Sequence, residues 1–457
     1  MKKILLLAAM LCCLIGAAQQ YPDFKPQRFD EDYGFLAADT TTSGNWYKVV
    51  KYTPLSASGT TYMSFGGDIR YQYFYNHNEK WGDEPKDPDG YLFTRSLFHA
   101  DAHFGQHFRA FIELQSSTAD GKKNTSPVDL NPLDLHQAFA EYSGTLGNGS
   151  LAFRVGRQEL LYGSQRLVSV RDGPNSRQSF DAAKAMVKSG SLKADFFYSN
   201  FVIAQKDIFD DAFSNKRRFW GSYFTFSNVP LIKNLDAYYF GFKRKDAVFY
   251  DGAGKEMRHS VGARSWGKNN GWRYDAEAIY QFGKLGPKDI SAWTASINAG
   301  YQFSGLSFKP DVGLKAEVIS GDRKEGDNRL ETLNPLFPRG GYFGLASIIG
   351  PSNLFDIHPS IDLELSKTIQ WGIDYDIFWR YSTHDGIYAP SVVMIYPAGT
   401  SGARNIGRQL ESEIVFTPNK YLYFRFEITW FDAGDYLEAS GAGKDILFVG
   451  VTSQLKF

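Results

Sequence analysis

Arginines recur in this sequence beside acidic residues, with an even spacing, in segments that read as β-strands. The groups that would share one strand face are Arg70 with Asp68, Arg95 with Asp101, Arg109 with Glu113, Arg273 with Asp275 and Glu277, Arg380 with Asp376, and Arg425 with Glu427. Successive strand side chains point to opposite faces, so each arginine would lie on the same side as its acidic neighbour. A guanidinium group binds a carboxylate through two parallel hydrogen bonds, so such arginines could bind a carboxylated ligand. Each could equally form a structural ion pair with its neighbour, and the sequence leaves both roles open.

The segments that carry these arginines alternate between apolar and polar residues. In residues 271–282, one face holds aromatic residues at both ends with alanines between them, and the other holds Arg273, Asp275 and Glu277. The pattern recurs in residues 293–303, 308–318, 373–381 and 422–430. Aromatic residues at both ends of an apolar face are typical of strands that cross a lipid bilayer, and less so of a soluble β-sandwich. The sequence therefore predicts an all-β fold, a transmembrane antiparallel β-barrel with a polar lumen.

The final segment, Asp445–Phe457, alternates in the same way and ends in an aromatic residue, as a closing outer-membrane strand usually does. Long polar connections alternate with short turns, as expected for long extracellular loops and short periplasmic turns. The predicted long connections are residues 76–90, 116–132, 157–179, 200–216, 245–256, 321–352, 382–404 and 432–444. We predict about eighteen strands of transmembrane length. Sixteen is the alternative, because the strands near Leu92, Asp134 and Phe180 are weakly patterned.

The first eighteen residues have the build of a secretory signal peptide. Two lysines precede the apolar run Ile4–Ile15, and small residues follow it, with cleavage predicted after Ala18. The run is short for a transmembrane anchor. A lipoprotein is the alternative, because Cys12 and Cys13 lie in this segment. However, a lipid-modified cysteine normally follows a small residue, and neither of these does. We therefore predict export to the outer membrane of a Gram-negative cell.

Three regions are predicted: the signal peptide at residues 1–18, a periplasmic or lumen lead-in at 19–58, and the barrel at 59–457. Both cysteines of the sequence lie in the signal peptide, so the exported chain would have no disulfide and no thiolate metal site. The sequence has 50 basic and 50 acidic residues, and this balance gives no reason to expect nucleic acid as a partner. Outer-membrane lipid and lipopolysaccharide are the expected surroundings.

Several short motifs occur in an order that points to one family. They are Arg28–Tyr33, Trp46–Leu55, Phe65–Arg70, Val155–Arg166, Ser179–Asp181, Ser320–Asp322, Leu333–Gly344, Gly350–Asn353, Trp379–Arg380 and Asp385–Tyr388. Together they resemble the alginate export family of outer-membrane porins, over nearly the whole mature chain. The resemblance implies a monomeric eighteen-stranded barrel with a narrow lumen that presents arginines to an anionic uronate polysaccharide. It adds Arg157, Arg166 and Asp181 to the residues expected near the pore.

The predicted function is a channel that passes an alginate-like anionic polysaccharide or oligosaccharide through an arginine-lined lumen. The predicted pore-lining, substrate-binding residues are Arg70, Arg95, Arg109, Arg157, Arg166, Asp181, Arg273, Arg380 and Arg425. The alternatives are a general or nutrient-uptake porin for another small anionic or sugar substrate, and a non-conducting surface barrel. Periplasmic export or uptake components are further expected partners.

No catalytic residue, metal ion or cofactor is predicted. The sequence has eight histidines and no Ser/His motif in a recognisable frame, so an enzyme is not expected. His99 and His103 stand four residues apart on a strand, which separates them by about 13 Å, too far to share one ion without other ligands. The acidic loop 321–328 lacks the ligand spacing of a calcium loop. We interpret it as a solvated surface loop, with a weak cation site as the alternative.

Leu333–Gly344 is an unusual segment within a long connection. It contains two prolines, three glycines and several aromatic residues. This composition predicts an ordered loop that folds over or into the pore and could act as a gate or constriction. The alternative is a compact extracellular cap without a gating role.

Overall fold

The computed structural model describes residues 22–38, 46–399 and 401–457. The chain divides into two compact units, residues 1–32 and residues 33–457. In the first unit the described residues include a 3-10 turn at Arg28–Asp30, where Arg28 Nε lies 2.8 Å from Glu31 Oε1. The predicted signal peptide lies outside the described residues. Across the described part of the chain, no helix is long and apolar enough to cross a membrane.

The second unit is built on a closed antiparallel barrel of eighteen strands. They are β1 (Tyr62–His77), β2 (Tyr91–Phe104), β3 (Phe108–Asp120), β4 (Asn131–Leu146), β5 (Gly149–Gln158), β6 (Phe180–Ser189), β7 (Leu192–Ile203), β8 (Ala212–Val229), β9 (Lys233–Phe249), β10 (Gly252–Asn269), β11 (Trp272–Leu285), β12 (Lys288–Gln302), β13 (Asp311–Ile319), β14 (Leu354–Glu364), β15 (Ile369–Arg380), β16 (Asn405–Asn419), β17 (Leu422–Ala433) and β18 (Ile446–Lys456). Two-residue strands at Thr53–Pro54 and Arg329–Leu330 join the same sheet, and Ile387–Tyr388 pairs with Met394–Tyr396. The predicted fold and strand number are confirmed, including the weakly patterned β2, β4 and β6.

The barrel closes between its last and first strands. In this pairing Asp68 stands opposite Lys456 and His77 stands opposite Leu447. The C-terminal residue extends the closure, because Phe457 N–H donates to Gly67 O and Gly67 N–H donates to Phe457 O, both at 3.0 Å. Every barrel strand therefore has two hydrogen-bonded neighbours, which is what a sheet needs inside a lipid bilayer.

Side-chain exposure follows the predicted alternation. On β11, Trp272 is 60% exposed and Tyr280 is 45% exposed, whereas Glu277 and Gln281, on the opposite face, are buried. Exposed aromatic and aliphatic residues occur in the same way on most other strands. An apolar outer surface around a closed barrel is the surface that a bilayer covers. The polar inner surface is left to build the lumen.

Short turns lie at one end of the barrel and most of the long loops at the other. The short-turn end has residues 105–107, 147–148, 190–191, 230–232, 270–271, 303–310, 365–368 and 420–421. The predicted long connection 245–256 is wrong: β9 runs to Phe249, β10 begins at Gly252, and only Tyr250–Asp251 joins them. Ala247 and Phe249 are buried in an apolar cluster, so the strand continues where the polar sequence suggested a loop.

The long loops pack against one another around an apolar core. Trp81 comes from the β1–β2 loop, Phe343 from the β13–β14 loop, Tyr396 from the β15–β16 loop and Tyr436 from the helix Asp435–Ser440. All four side chains are buried in one cluster. Burial of this apolar surface holds the loops in fixed positions over the lumen.

At the short-turn end, the segment before β1 reaches the inner face of the barrel. It includes the 3-10 helix Gly34–Ala38 and the α-helix Trp46–Lys51. Lys51 is fully buried, and a Cβ on Gly66 would lie 2.5 Å from its Nζ. Gly66 shares the inner face of β1 with Asp68, so this part of the predicted lead-in lies inside the barrel mouth.

Candidate functional site

A cavity of about 770 Å³ lies inside the barrel. Its wall is formed by the inner faces of β1 and of β11 to β18, and by parts of two loops. These are the β5–β6 loop, residues 159–179, and the β13–β14 loop, residues 320–353. The second loop contains Leu333–Gly344, which we call the lumen segment. Its residues from Arg339 to Gly344 line the cavity directly.

The two loops touch each other backbone to backbone. A Cβ on Gly173 would lie 2.7 Å from the carbonyl carbon of Gly340, and a Cβ on Gly340 would overlap Cδ of Pro174. Only a residue without a side chain fits at either position, because the neighbouring backbone already occupies that space. The two loops therefore form one continuous constriction.

Phe337 anchors the lumen segment to the barrel wall. Its ring centroid lies 5.0 Å from that of Phe180 and 5.1 Å from that of Phe219, and the side chain is buried. The backbone is also held, because Phe337 N–H donates to Leu167 O and Ser169 N–H donates to Phe337 O, both at 2.9 Å. The lumen segment and the β5–β6 loop thus pair like two short parallel strands.

The other end of the lumen segment contacts the opposite part of the wall. Tyr342 O–H donates to Glu317 Oε2 on β13 at 2.9 Å. Gln409 Nε2 on β16 donates to Phe343 O, and Leu345 N–H donates to Glu427 Oε1 on β17, both at 3.1 Å. The segment therefore crosses the lumen, as an ordered loop folded into the pore. Whether it also acts as a gate stays a prediction.

Asp172 ties the β5–β6 loop to the first two strands. Arg95 Nη2 donates to Asp172 Oδ1 at 2.8 Å, and Arg177 Nη1 donates to the same oxygen at 3.4 Å. Arg70 donates to the backbone carbonyls of Asp172 and Pro174 at 2.5 and 2.8 Å. Enclosure in the protein opposes the charge of Asp172, but Arg95, Arg177 and Arg70 outweigh it and hold the pKa of its carboxyl well below the usual range.

The cavity wall carries six arginine and lysine side chains, six carboxylates and His358. The basic ones are Arg70, Arg273, Lys315, Arg339, Arg425 and Lys456, and the acidic ones are Asp172, Asp362, Asp374, Asp376, Glu411 and Glu413. All the acidic ones except Asp172 lie on β14, β15 and β16, and we call this group the acidic sector. Basic residues lie on the strands on both sides of it. The lumen therefore presents both signs of charge rather than arginine alone.

The family model for alginate export matches residues 61–445, which cover most of the barrel. The chain belongs to the alginate export family. Solved structures with a similar fold include a BenF-like porin from Pseudomonas fluorescens Pf-5, at 12% identity and a TM-score of 0.57, with 86% of this chain and 99% of that chain covered. Pseudomonas aeruginosa OccK2 (OpdF) in complex with glucuronate matches at 12% identity and a TM-score of 0.54, with 86% and 98% covered. Pseudomonas aeruginosa OpdK with vanillate matches at 10% identity and a TM-score of 0.56, with 86% and 98% covered.

No curated protein matched the chain. The family and the shared porin fold together make this protein an outer-membrane channel. The long-loop end of the barrel is therefore extracellular, and the short-turn end is periplasmic.

Of the arginines predicted for this alginate export family channel, Arg70, Arg273 and Arg425 line the cavity. Arg273 Nε lies 3.0 Å from Asp311 Oδ1, and Arg425 Nε lies 2.6 Å from Glu413 Oε2. Both arginines are therefore ion-paired in the wall while they face the lumen. Their contact with a substrate stays a prediction.

Arg95, Arg109 and Arg166 lie away from the open cavity and are held by acidic partners. Arg109 Nε donates to Asp101 Oδ1 at 2.7 Å near the periplasmic end of the barrel. Arg166 Nε donates to Glu277 Oε2 at 3.2 Å, and Arg166 also pairs with Glu317. These contacts make Arg95 and Arg166 positioning residues for the two loops of the constriction.

The structure corrects the predicted pore-lining positions of Arg157 and Asp181. These residues face each other on β5 and β6, with Arg157 Nε 2.9 Å from Asp181 Oδ1. Arg157 lies on the same face of β5 as Phe153 and Val155, which are 47% and 62% exposed on the outer surface. The pair is therefore on the outward face, and family resemblance alone could not show this.

Arg380 also lies outside the cavity wall, at the extracellular end of β15. It is fully buried, and its guanidinium group donates to the carbonyls of Ala398 at 2.9 Å and Ser401 at 2.8 Å. Its charge also lies 3.8 Å from the ring centroid of Tyr436. Arg380 therefore holds the β15–β16 loop together. Its position on the same strand face as Asp376 suggested a place in the lumen, but the strand ends at Arg380.

His99 and His103 have separate acidic partners. His99 Nδ1 lies 3.6 Å from Glu113 Oε2, and His103 Nε2 lies 3.2 Å from Asp101 Oδ2.

Sequence reasoning missed Arg339, Lys315, Lys456 and, apart from Asp376, the acidic sector as parts of the site. Alternation along β13 to β16 and along β18 could have found all of these except Arg339, which lies in a loop without periodicity.

Proposed function

We propose that this channel passes a carboxylated saccharide of the alginate type through the constricted lumen. The observation that carries the proposal is a pair of cavity-lining cations, Arg339 and Lys456, that form no ion pair within the described part of the chain. Arg339 stands on the lumen segment itself, where its Nη2 donates to Tyr342 O at 3.1 Å and leaves its remaining donors for a ligand. A guanidinium group in this position suits the carboxylate of a uronate.

The acidic sector supports the same class of substrate. A saccharide carries many hydroxyl groups, and carboxylate oxygens such as those of Asp374 and Glu411 accept hydrogen bonds from hydroxyls. The negative charge of the sector also weakens the hold on a uronate carboxylate. A channel needs such weak binding, because a ligand that enters must also leave.

One protein of similar fold fits this chemistry. OccK2 was solved with glucuronate, a single carboxylated sugar.

A channel for small sugar acids or other organic acids is the second candidate. The cavity volume of about 770 Å³ falls in the range of about 300–1,000 Å³ that small-ligand sites occupy. The lumen segment also crosses the pore and narrows it. This narrowing and the cavity volume are the observations that favour the second candidate.

Single-channel currents in planar lipid bilayers test both candidates. We expect an anion-selective current that mannuronate or guluronate oligomers block and neutral oligosaccharides of equal length do not. Block by monomeric uronate alone supports the small-acid channel. Absence of any current from folded barrels would favour a non-conducting surface barrel.

A double variant, Arg339→Gln with Lys456→Gln, should reduce anion selectivity and weaken the block by oligouronates. The matched control is Arg218→Gln with Lys367→Gln, which removes the same two charges from exposed positions outside the cavity. Equal selectivity and block in both double variants would contradict the assignment of Arg339 and Lys456.

We further infer that the first eighteen residues direct export and are then removed, and that the barrel works as a monomer. N-terminal sequencing of the protein from outer membranes tests the first inference, with a start at Gln19 expected. Mass measurement of the detergent-solubilised barrel tests the second.

A further inference from the structure

Three carboxylates converge at the extracellular rim of the barrel, outside the cavity described above. Asp251 lies in the two-residue turn between β9 and β10, and Asp322 and Asp327 lie in the loop that follows β13. One carboxylate oxygen from each residue lies within 4.8 Å of the other two. Asp251 is distant in sequence from the other two, so the group exists only because the fold brings two loops together.

Asp322 is buried and keeps one oxygen without a partner. The residue is 1% exposed, and its Oδ2 accepts no hydrogen bond. Its Oδ1 accepts a hydrogen bond from the N–H of Lys324 at 3.2 Å. A buried carboxylate oxygen that accepts no hydrogen bond from the protein is costly unless a cation compensates it.

The existing contacts leave the group negatively charged. Lys288 Nζ lies 2.5 Å from Asp251 Oδ2, and the N–H of Gly326 donates to the same oxygen at 3.0 Å. Asp327 Oδ1 accepts from the N–H of Arg329 at 2.7 Å. Lys288 therefore neutralises one carboxylate of the three.

The nearby Arg323 does not supply the missing charge. Its Nε donates to Glu331 Oε2 at 2.8 Å, so it is committed to another acid. A second buried carboxylate, Asp385, adds to the negative field, since its Oδ2 accepts the N–H of Asp322 at 2.9 Å. The carboxylate thus lacks a positive partner.

We propose that Asp251, Asp322 and Asp327 form a calcium-binding site. Calcium takes six to eight oxygen ligands at about 2.3–2.6 Å in irregular geometry, so ligand oxygens around it lie within about 5 Å of each other. Three carboxylates supply hard oxygen ligands, and the exposed side of the loop leaves room for water. Magnesium fits less well, because it demands near-ideal octahedral geometry at about 2.0–2.1 Å. The loop lacks calcium-loop spacing because one ligand comes from a different hairpin.

The site would join the β9–β10 turn to the loop that carries the lumen segment. Arg329 and Leu330 follow Asp327 and pair with Asp289 and Ile290 at the start of β12. The lumen segment begins three residues after Leu330, at Leu333. A bound calcium ion would therefore fix the extracellular end of the constriction to the barrel rim.

The test is calcium binding by the full-length barrel, refolded in detergent free of lipopolysaccharide and treated with EDTA. Isothermal titration should show one calcium ion per chain, a Kd at least tenfold lower for calcium than for magnesium, and a rise in the unfolding temperature on binding. Asp322→Asn and Asp251→Asn should each raise the Kd for calcium at least tenfold. The matched control Asp89→Asn, an exposed acid in the β1–β2 loop, should bind as the unaltered protein does.

Asp327→Asn provides a second test if the buried variants do not refold, because Asp327 is half-buried in the loop. It should also raise the Kd. The proposal is overturned if the unaltered barrel binds no calcium or binds magnesium as tightly. It is also overturned if Asp327→Asn binds calcium as tightly as Asp89→Asn.

Discussion

Replacing Phe337 with alanine should release the lumen segment from the barrel wall. Phe337 is 3% exposed, and its ring centroid lies between 5.0 and 5.6 Å from those of Phe180, Phe219, Phe201 and Phe242. Truncating a buried phenylalanine to alanine costs about 3–5 kcal/mol. Since about 1.4 kcal/mol is a tenfold change in an equilibrium, the released form should gain roughly two to four orders of magnitude in relative population.

The backbone contacts of the segment survive this substitution. Phe337 N–H to Leu167 O, Ser169 N–H to Phe337 O and Arg339 N–H to Gln165 O would remain, at 2.9, 2.9 and 3.1 Å. Each such bond contributes about 0.5–1.5 kcal/mol net. We therefore expect the segment to leave the wall intermittently rather than permanently.

Single-channel recording measures this directly. The Phe337→Ala channel should show brief steps to a larger conductance that are rare in the unaltered protein, and Phe337→Leu should largely suppress them. Phe196→Ala is the matched control, because it removes a phenyl ring that is 45% exposed on the outer face of β7. Heat-modifiable migration on gels confirms that each variant forms a barrel.

Two results would refute this reasoning. If Phe337→Ala folds as a barrel and its currents equal those of the unaltered channel, the aromatic contact does not restrain the segment. If deletion of residues 333–344 also leaves the conductance unchanged, the segment is not a constriction, and the gate hypothesis fails with it.

Three further predictions concern the loops. Gly340→Ala should push the two constriction loops apart, because its Cβ would overlap Pro174, and should alter single-channel conductance. Arg380→Lys should destabilise the β15–β16 loop by about 1–3 kcal/mol for each buried carbonyl left without a donor, seen as faster proteolysis at residues 382–404. Burial, together with Asp134, raises the pKa of Asp211 to about 6. A carboxyl whose pKa is higher in the folded state than in the unfolded state stabilises the folded state most when the pH is below the unfolded-state pKa. This stabilisation is lost as the pH rises, so the β7–β8 loop should loosen between about pH 4 and about pH 6. Hydrogen exchange measured against Asp211→Asn, which should lack this dependence, checks the sign.

Much of the fold could be predicted because strand alternation is a local property. The sequence of β11 predicts its aromatic face, and the sequence of β18 predicts its polar face. Closure of β18 on β1 follows because a sheet in a bilayer cannot leave an unpaired edge. The turn at Tyr250–Asp251 was not predictable in this way. Polar residues there suggested a loop, but burial of Ala247 and Phe249 against neighbouring strands and the β15–β16 loop keeps them in strands.

The site was predictable only in part. Alternation placed Arg70, Arg273 and Arg425 on the inner face, and the structure has them in the cavity wall. Arg157 and Asp181 were assigned by resemblance to a motif, and a motif does not state which face of a strand it occupies.

Period-two patterning in each strand is enough to predict an outer-membrane barrel with charged residues inside. Which of those charges are available to a ligand depends on the tertiary structure. Whether a guanidinium group is satisfied depends on partners that come from remote loops, as when Asp172 meets Arg95. The same holds for Asp251 and Asp322, whose shared position no local spacing could show. Charge interactions act through space, and the fold sets the distances.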